Sequence, residues 1–142
     1  MLNDFSTDKK YKLSDLAKNK GAVIVFIDPD KEPSTHVMVD IAEVKGTFEK
    51  WNGAVLFVIP SKSKTTFNPS MFTGLPKQSI YIADNKTDDF FMKIENQKGC
   101  SLVNKYPVVI YVDKSGKMFF YSEGYRIGVG EQILKVIMKT SK

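Results

Sequence analysis

The sequence predicts a three-layer α/β domain in which helices flank a central mixed β-sheet. Three observations predict it. Two short apolar runs rich in β-branched residues, "AVIVFI" at 22–27 and "AVLFVI" at 54–59, read as strands buried on both faces. Between them Val37, Ile41, Val44, Phe48 and Trp51 recur at spacings of four, three, four and three, one apolar stripe along a helix of about five turns. Further on, a β-hairpin pattern leads into an amphipathic helix. Strand, helix and strand with short links form a βαβ unit, so the first two strands are expected to be parallel neighbours joined by a right-handed crossover. Helices on both faces then bury the sheet.

The elements follow in order. Ser34 or Asp30 is suited to cap the first long helix, and Asn52-Gly53 to stop it. After Pro60 the tract 61–78 is polar and broken by two prolines and a glycine, which predicts a long loop with a helical turn near 70–72. Its Phe67, Met71 and Phe72 either meet a partner or tuck back onto the core. "SIYIA" (79–83) is a short strand. The segment 87–99 predicts a short helix, with Asp88 and Asp89 at its positive end, Lys98 at the other and Gly99 as the stop. "PVVIYV" (107–112) and "MFFYS" (118–122) form a hairpin around the turn "DKSGK". A last helix over 130–140 presents Ile133, Leu134, Val136, Ile137 and Met138.

Composition narrows the function classes. The 142 residues suit a single domain over 1–142, with a core from about 11 to 140. Hydrophobic residues make up 42% and charged residues 26%, as in ordinary globular proteins. No apolar run approaches the ~18 residues of a membrane span, so no membrane insertion is expected. The N-terminal "MLNDFSTDKKYKLSD" lacks the apolar centre of a secretory signal. Two locations stay open: the cytoplasm, or an exported parent from which this domain is taken. The net charge of +5 comes from scattered lysines rather than a basic stripe, which argues against nucleic-acid binding. One cysteine, Cys100, excludes a disulfide within the chain and a Cys-rich zinc site.

At the first strand-to-helix junction stands "VFIDPDKEPSTH", and before it "YKLSDLAKNKGAVIVF". The second half carries "YPVVIYVDKSGKMFFYSEGY". On these three segments the chain resembles the thioredoxin superfamily, and within it the extracytoplasmic thiol-disulfide reductases and peroxiredoxin-like proteins. The resemblance covers about 11–140 and implies a three-layer thioredoxin-like fold. It implies a Cys-x-x-Cys pair at the junction, where a helix N-terminus would activate the first thiol. Here Lys31 and Ser34 occupy the two cysteine positions, with Glu32 and Pro33 between them. Neither can form a disulfide. Tyr106-Pro107 falls on the family's cis-proline position, beside a groove that pairs with extended polypeptide. The resemblance thus implies a groove lined by Lys31, Glu32, Pro33, Ser34, Tyr106 and Pro107. "EGYRIGVGEQILK" with "IDPDKEPSTHVMVDI" is also similar to a thioredoxin-like domain at the C-terminal end of bacterial multidomain proteins bearing a transglutaminase-type domain. The end at "MKTSK", directly after the last helix, fits such an excised domain.

The expected role is therefore a redox-inactive interaction or accessory module. Its partner would be another protein or a neighbouring domain of the parent. The location would be periplasmic or otherwise extracytoplasmic, and no cofactor is implied. The alternative is an oxidoreductase or peroxidase working through Cys100. That residue stands in "KGCSLV" at the C-terminal end of a predicted helix, where the dipole opposes a thiolate. Other local clusters favour ordinary structure. Ser34 and His36 are two apart at a helix start, so they point about 200° apart, a poor arrangement for a hydrolytic triad. Asp28, Asp30 and Glu32 alternate like calcium ligands, but Pro29 and Pro33 stiffen the loop and Lys31 opposes the charge. "GYRIGVG" lacks phosphate-loop spacing and reads as turn glycines, with Arg126 as a partner contact or a helix-end ion pair.

Overall fold

A computed structural model describes residues 2–5, 9–28, 32–60, 74–84, 107–124 and 127–140. Seven strands form one sheet: β1 (Leu2–Asp4), β2 (Lys10–Tyr11), β3 (Ala22–Phe26), β4 (Ala54–Pro60), β5 (Ser79–Asp84), β6 (Val108–Val112) and β7 (Met118–Glu123). Four described helices accompany them: α1 (Leu13–Ala17), α2 (Glu32–Glu43), α3 (Lys45–Trp51) and α4 (Val129–Thr140). The sheet order is β2-β1-β5-β4-β3-β6-β7. β3, β4 and β5 run parallel, and β6 and β7 are antiparallel to their neighbours. The sheet is mixed, as expected, and β3 and β4 are parallel partners in the register Ala22↔Ala54 to Phe26↔Val58.

β3 lies inside the sheet, between β4 and β6, because both of its faces are apolar. Every residue of it is buried. Val23 and Val25 join Val55, Phe57 and Ile59 in one core, closed by Val37, Met38 and Ile41 of α2, Phe48 of α3, and Ile133, Leu134 and Ile137 of α4. Ile24 and Phe26 join Leu56, Val58, Ile82, Val108 and Ile110 in a second core on the other face, where Ala17 of α1 packs. This is the period-2 alternation of a strand with two buried faces. Each such aliphatic or aromatic side chain contributes about 1.5–3 kcal/mol by leaving water.

Four features differ from the sequence expectation. The single long helix is two helices, because the chain bends at Val44 (φ −112, ψ 24). There the Val44 N–H donates to the Ile41 carbonyl, a tightened turn, before α3 begins. The apolar stripe survives the bend: Val37, Ile41 and Phe48 are buried, and Val44 and Trp51 pack against the same core. Ser34 is the third residue of α2 and so lies past the capping position, while Asp30 lies outside the described residues. Met138 points to solvent at 64% exposure instead of joining the face of α4, because α4 buries only one side against the sheet. The N-terminal strands β1 and β2 carried no strong pattern, yet β1 pairs with β5 and extends the sheet before residue 11.

The Asn52-Gly53 stop and the hairpin turn are present as predicted. Asn52 closes α3 in the left-handed conformation (φ 59), with its N–H on the Phe48 carbonyl. Gly53 follows because a Cβ there would lie 2.2 Å from Cζ2 of Trp51. In the hairpin turn one carboxylate oxygen of Asp113 accepts from the Ser115 N–H (2.9 Å), the Ser115 hydroxyl (2.6 Å) and the Lys117 N–H (2.9 Å). Of the predicted loop 61–78, residues 74–78 are described and form neither strand nor helix, while 61–73 and the predicted helix 87–99 lie outside the described residues.

Candidate functional site

The chain leaves β3 in two directions. One connection runs through α2 to β4 and β5; the later return places β6 on the opposite side of β3. In open α/β sheets the crevice at such a reversal, beyond the carboxyl ends of the strands, is where ligands bind. The described parts of the junction, Ile27 and Asp28 after β3 and the start of α2 at Glu32, lie at that end. The last ladder pair of β3 is Phe26↔Val108, so Pro107, the residue before Val108, stands at the same end of the sheet.

Several bonds fix this end. The Ile27 N–H donates to the Val58 carbonyl at 3.0 Å, carrying the β3–β4 pairing one residue past the strand. Asp28, next in line, is buried at 4% exposure. Pro107 is buried and has no N–H to offer a ladder. Its carbonyl accepts from the Gly124 N–H at 2.8 Å, which ties the start of β6 to the end of β7. α2 begins at Glu32, with Pro33 second, where a missing N–H costs nothing. The backbone of Glu32, Pro33 and Ser34 thus forms the first turn of the helix, and Lys31 immediately precedes it in the chain. Lys31, Tyr106 and Cys100 lie outside the described residues, as does the Tyr106-Pro107 bond. His36 is exposed on α2, two residues from Ser34, so the two positions lie about 200° apart around the helix.

The glycine-rich segment before α4 has a partner that sequence reading missed. Asp40 of α2 reaches it: its Oδ2 accepts from the N–H groups of Gly128 (2.9 Å) and Val129 (3.2 Å). A protein carboxylate thus caps the start of α4 where an external anion was considered. Tyr125 and Arg126 lie outside the described residues. α2 and α4 cross closely here, since a Cβ on Gly130 would lie 3.0 Å from Val44 Cγ2 and 3.2 Å from the Asp40 carbonyl.

Beside this cap the surface is apolar. Ile127 is 84% exposed and Val39 is 50% exposed. They flank Gly128 and Asp40, the two ends of the bond that joins their segments. Val39 was legible in principle, because it falls off the stripe of Val37, Ile41 and Val44. Ile127 had a weaker signal, a large aliphatic residue beside a glycine in a turn. Among the described residues no group of three or more His, Cys, Asp or Glu is placed to hold a metal. No helix among them is long and apolar enough to cross a membrane.

No protein-family model matches the chain, and no curated protein matches it. Solved structures do. The chain is similar to the exposed lipoprotein thioredoxin of Streptococcus pneumoniae, with 24% identity and a TM-score of 0.62 over 94% of this chain and 96% of that one. It is similar to a SCO1/SenC family lipoprotein of Bacillus anthracis, with 16% identity and a TM-score of 0.72 over 99% and 92% of the two chains. A thioredoxin-family thiol:disulfide interchange protein of Chlorobium tepidum gives 14% identity and a TM-score of 0.72 over 100% and 93%. With the observed strand order, these likenesses establish that the chain has a thioredoxin-like fold.

Proposed function

We propose that this chain is a redox-inactive thioredoxin-fold domain serving as a protein-interaction or accessory module of a larger bacterial, extracytoplasmic protein. One observation carries the reading: on a thioredoxin-like fold the junction reads Lys31-Glu32-Pro33-Ser34, and the only cysteine of the chain is Cys100. Disulfide exchange at one site needs a second sulfur to resolve the mixed disulfide. The extracytoplasmic location is supported by the two lipoproteins among the similar structures. The transglutaminase-type parent rests on the sequence resemblance alone. The partner is an extended polypeptide or a neighbouring domain, held at the end bearing Pro107, the start of α2, and the exposed Val39 and Ile127. In this reading Tyr106-Pro107 is cis and Tyr106 lines the groove.

The second reading, an oxidoreductase or peroxidase acting through Cys100, is favoured by the thiol:disulfide interchange protein among the similar structures. Insulin reduction and peroxide consumption, with Cys100→Ser as control, separate the two. The module reading expects no activity above background in either protein. Activity in the natural chain that disappears on Cys100→Ser would reverse the choice. For the interaction itself, a photo-crosslinking residue at position 127 of the full parent protein is expected to capture a polypeptide. The same residue at exposed position 138 is not. Equal capture at both positions would contradict the placement.

A further inference from the structure

We propose that a cavity at the pole opposite the junction is a binding site for a small aromatic carboxylate. The cavity holds about 420 Å³ and is lined by Lys20, Trp51, Tyr111, Asp113, Lys114 and Thr140, among others. That volume falls in the range of small-molecule sites, about 300–1,000 Å³. It forms where four structures end together: the turn before β3, the last residue of α3, the β6–β7 hairpin, and the last turn of α4.

Its wall is aromatic. The Trp51 and Tyr111 rings meet edge to face, with centroids 6.2 Å apart at 70°. The Trp51 Nε1–H is buried with no acceptor among the described residues, so the ring presents carbon rather than its N–H to an occupant. Thr140 fixes the other ring by donating from Oγ1 to the Tyr111 hydroxyl at 3.2 Å. The rim is cationic. Lys20 and Lys114 are both exposed. Among the described residues the one rim carboxylate, Asp113, is turned into its own loop, where Oδ1 already accepts from Ser115 and Lys117. An aromatic body against Trp51 and a carboxylate between the two ammonium groups match this layout; an aromatic amine does not.

The test uses phenylacetate and 2-naphthoate as probes and phenethylamine as the charge-reversed control. Trp51 is the chain's only tryptophan, so its indole N–H resonance reports on this wall alone. Either carboxylate at millimolar concentration is expected to shift, saturably, that resonance and the amides of Lys20, Lys114 and Thr140, while the amine leaves them in place. Lys20→Gln with Lys114→Gln, both surface changes, is expected to weaken binding roughly five- to tenfold, and added salt to weaken it further. Absence of saturable shifts with both carboxylates would overturn the site. Equal shifts with the amine, or affinity unchanged in the double variant, would overturn the assignment of its ligand class. None of these outcomes bears on the junction, so the two proposals fail separately.

Discussion

At the hairpin end of the sheet, two turns are closed by residues a few positions away: Asp113 serves Ser115 and Lys117, and Asn52 returns to Phe48. At the junction end the closing bonds run across the chain. Asp40 caps Gly128 at a separation of 88 residues, and Gly124 holds the carbonyl of Pro107. The two hairpin-end turns need no distant partner to close. The junction end exists only once α2, β6, β7 and α4 have assembled, and it leaves Val39 and Ile127 in water. An end assembled from distant segments, and left apolar, is where recognition is expected.

Mutations can break this contrast, beginning with the core that both ends share. Phe48→Ala, at a fully buried position, is expected to cost about 3–5 kcal/mol in urea unfolding, with one transition for both ends. Separate transitions would mean that the ends are independent units. Next comes the long-range cap. Asp40→Ala removes the acceptor of two N–H groups and is expected to cost about 1–2 kcal/mol, with Asp40→Asn recovering part of it. Asn52→Ala is expected to cost about 1 kcal/mol from its left-handed backbone, and Asn52→Gly almost nothing. The smallest effect belongs to Asp113. The Ser115 hydroxyl above all, joined by the backbone N–H groups of Lys117 and Ser115, holds its carboxyl below the usual value against an opposing desolvation. Its folded value is the lower one, so its contribution is present above the ordinary carboxylate value and lost as pH falls below about 4. Asp113→Asn is expected to lower stability slightly at neutral pH and to leave it unchanged at acid pH, which flattens the acid side of the stability profile. A larger loss for Asp113→Ala than for Asp40→Ala would invert the comparison.

The same contrast explains what was legible in the sequence. β3, β4, β5, the hairpin, α4 and the Asn52-Gly53 stop were readable because period, turn chemistry and length act within a few residues. The bend at Val44 was not, since the apolar stripe runs through it unchanged. β1 and β2 were missed because two- and three-residue strands carry no period. At the candidate site, Pro107 and the start of α2 were legible from the resemblance. The Asp40 cap was not, because nothing near Asp40 in the sequence marks an acceptor for a segment so far along the chain.

The most direct measurement places sulfur back at the junction. Lys31→Cys with Ser34→Cys, in a Cys100→Ser background, restores the pair that the natural residues lack. The predicted result is an intramolecular disulfide and insulin reduction in the double variant, with none in the natural chain. A natural chain as active as the variant, or a variant that forms no disulfide between positions 31 and 34, would contradict the claim that Lys31 and Ser34 stand where the redox pair would be.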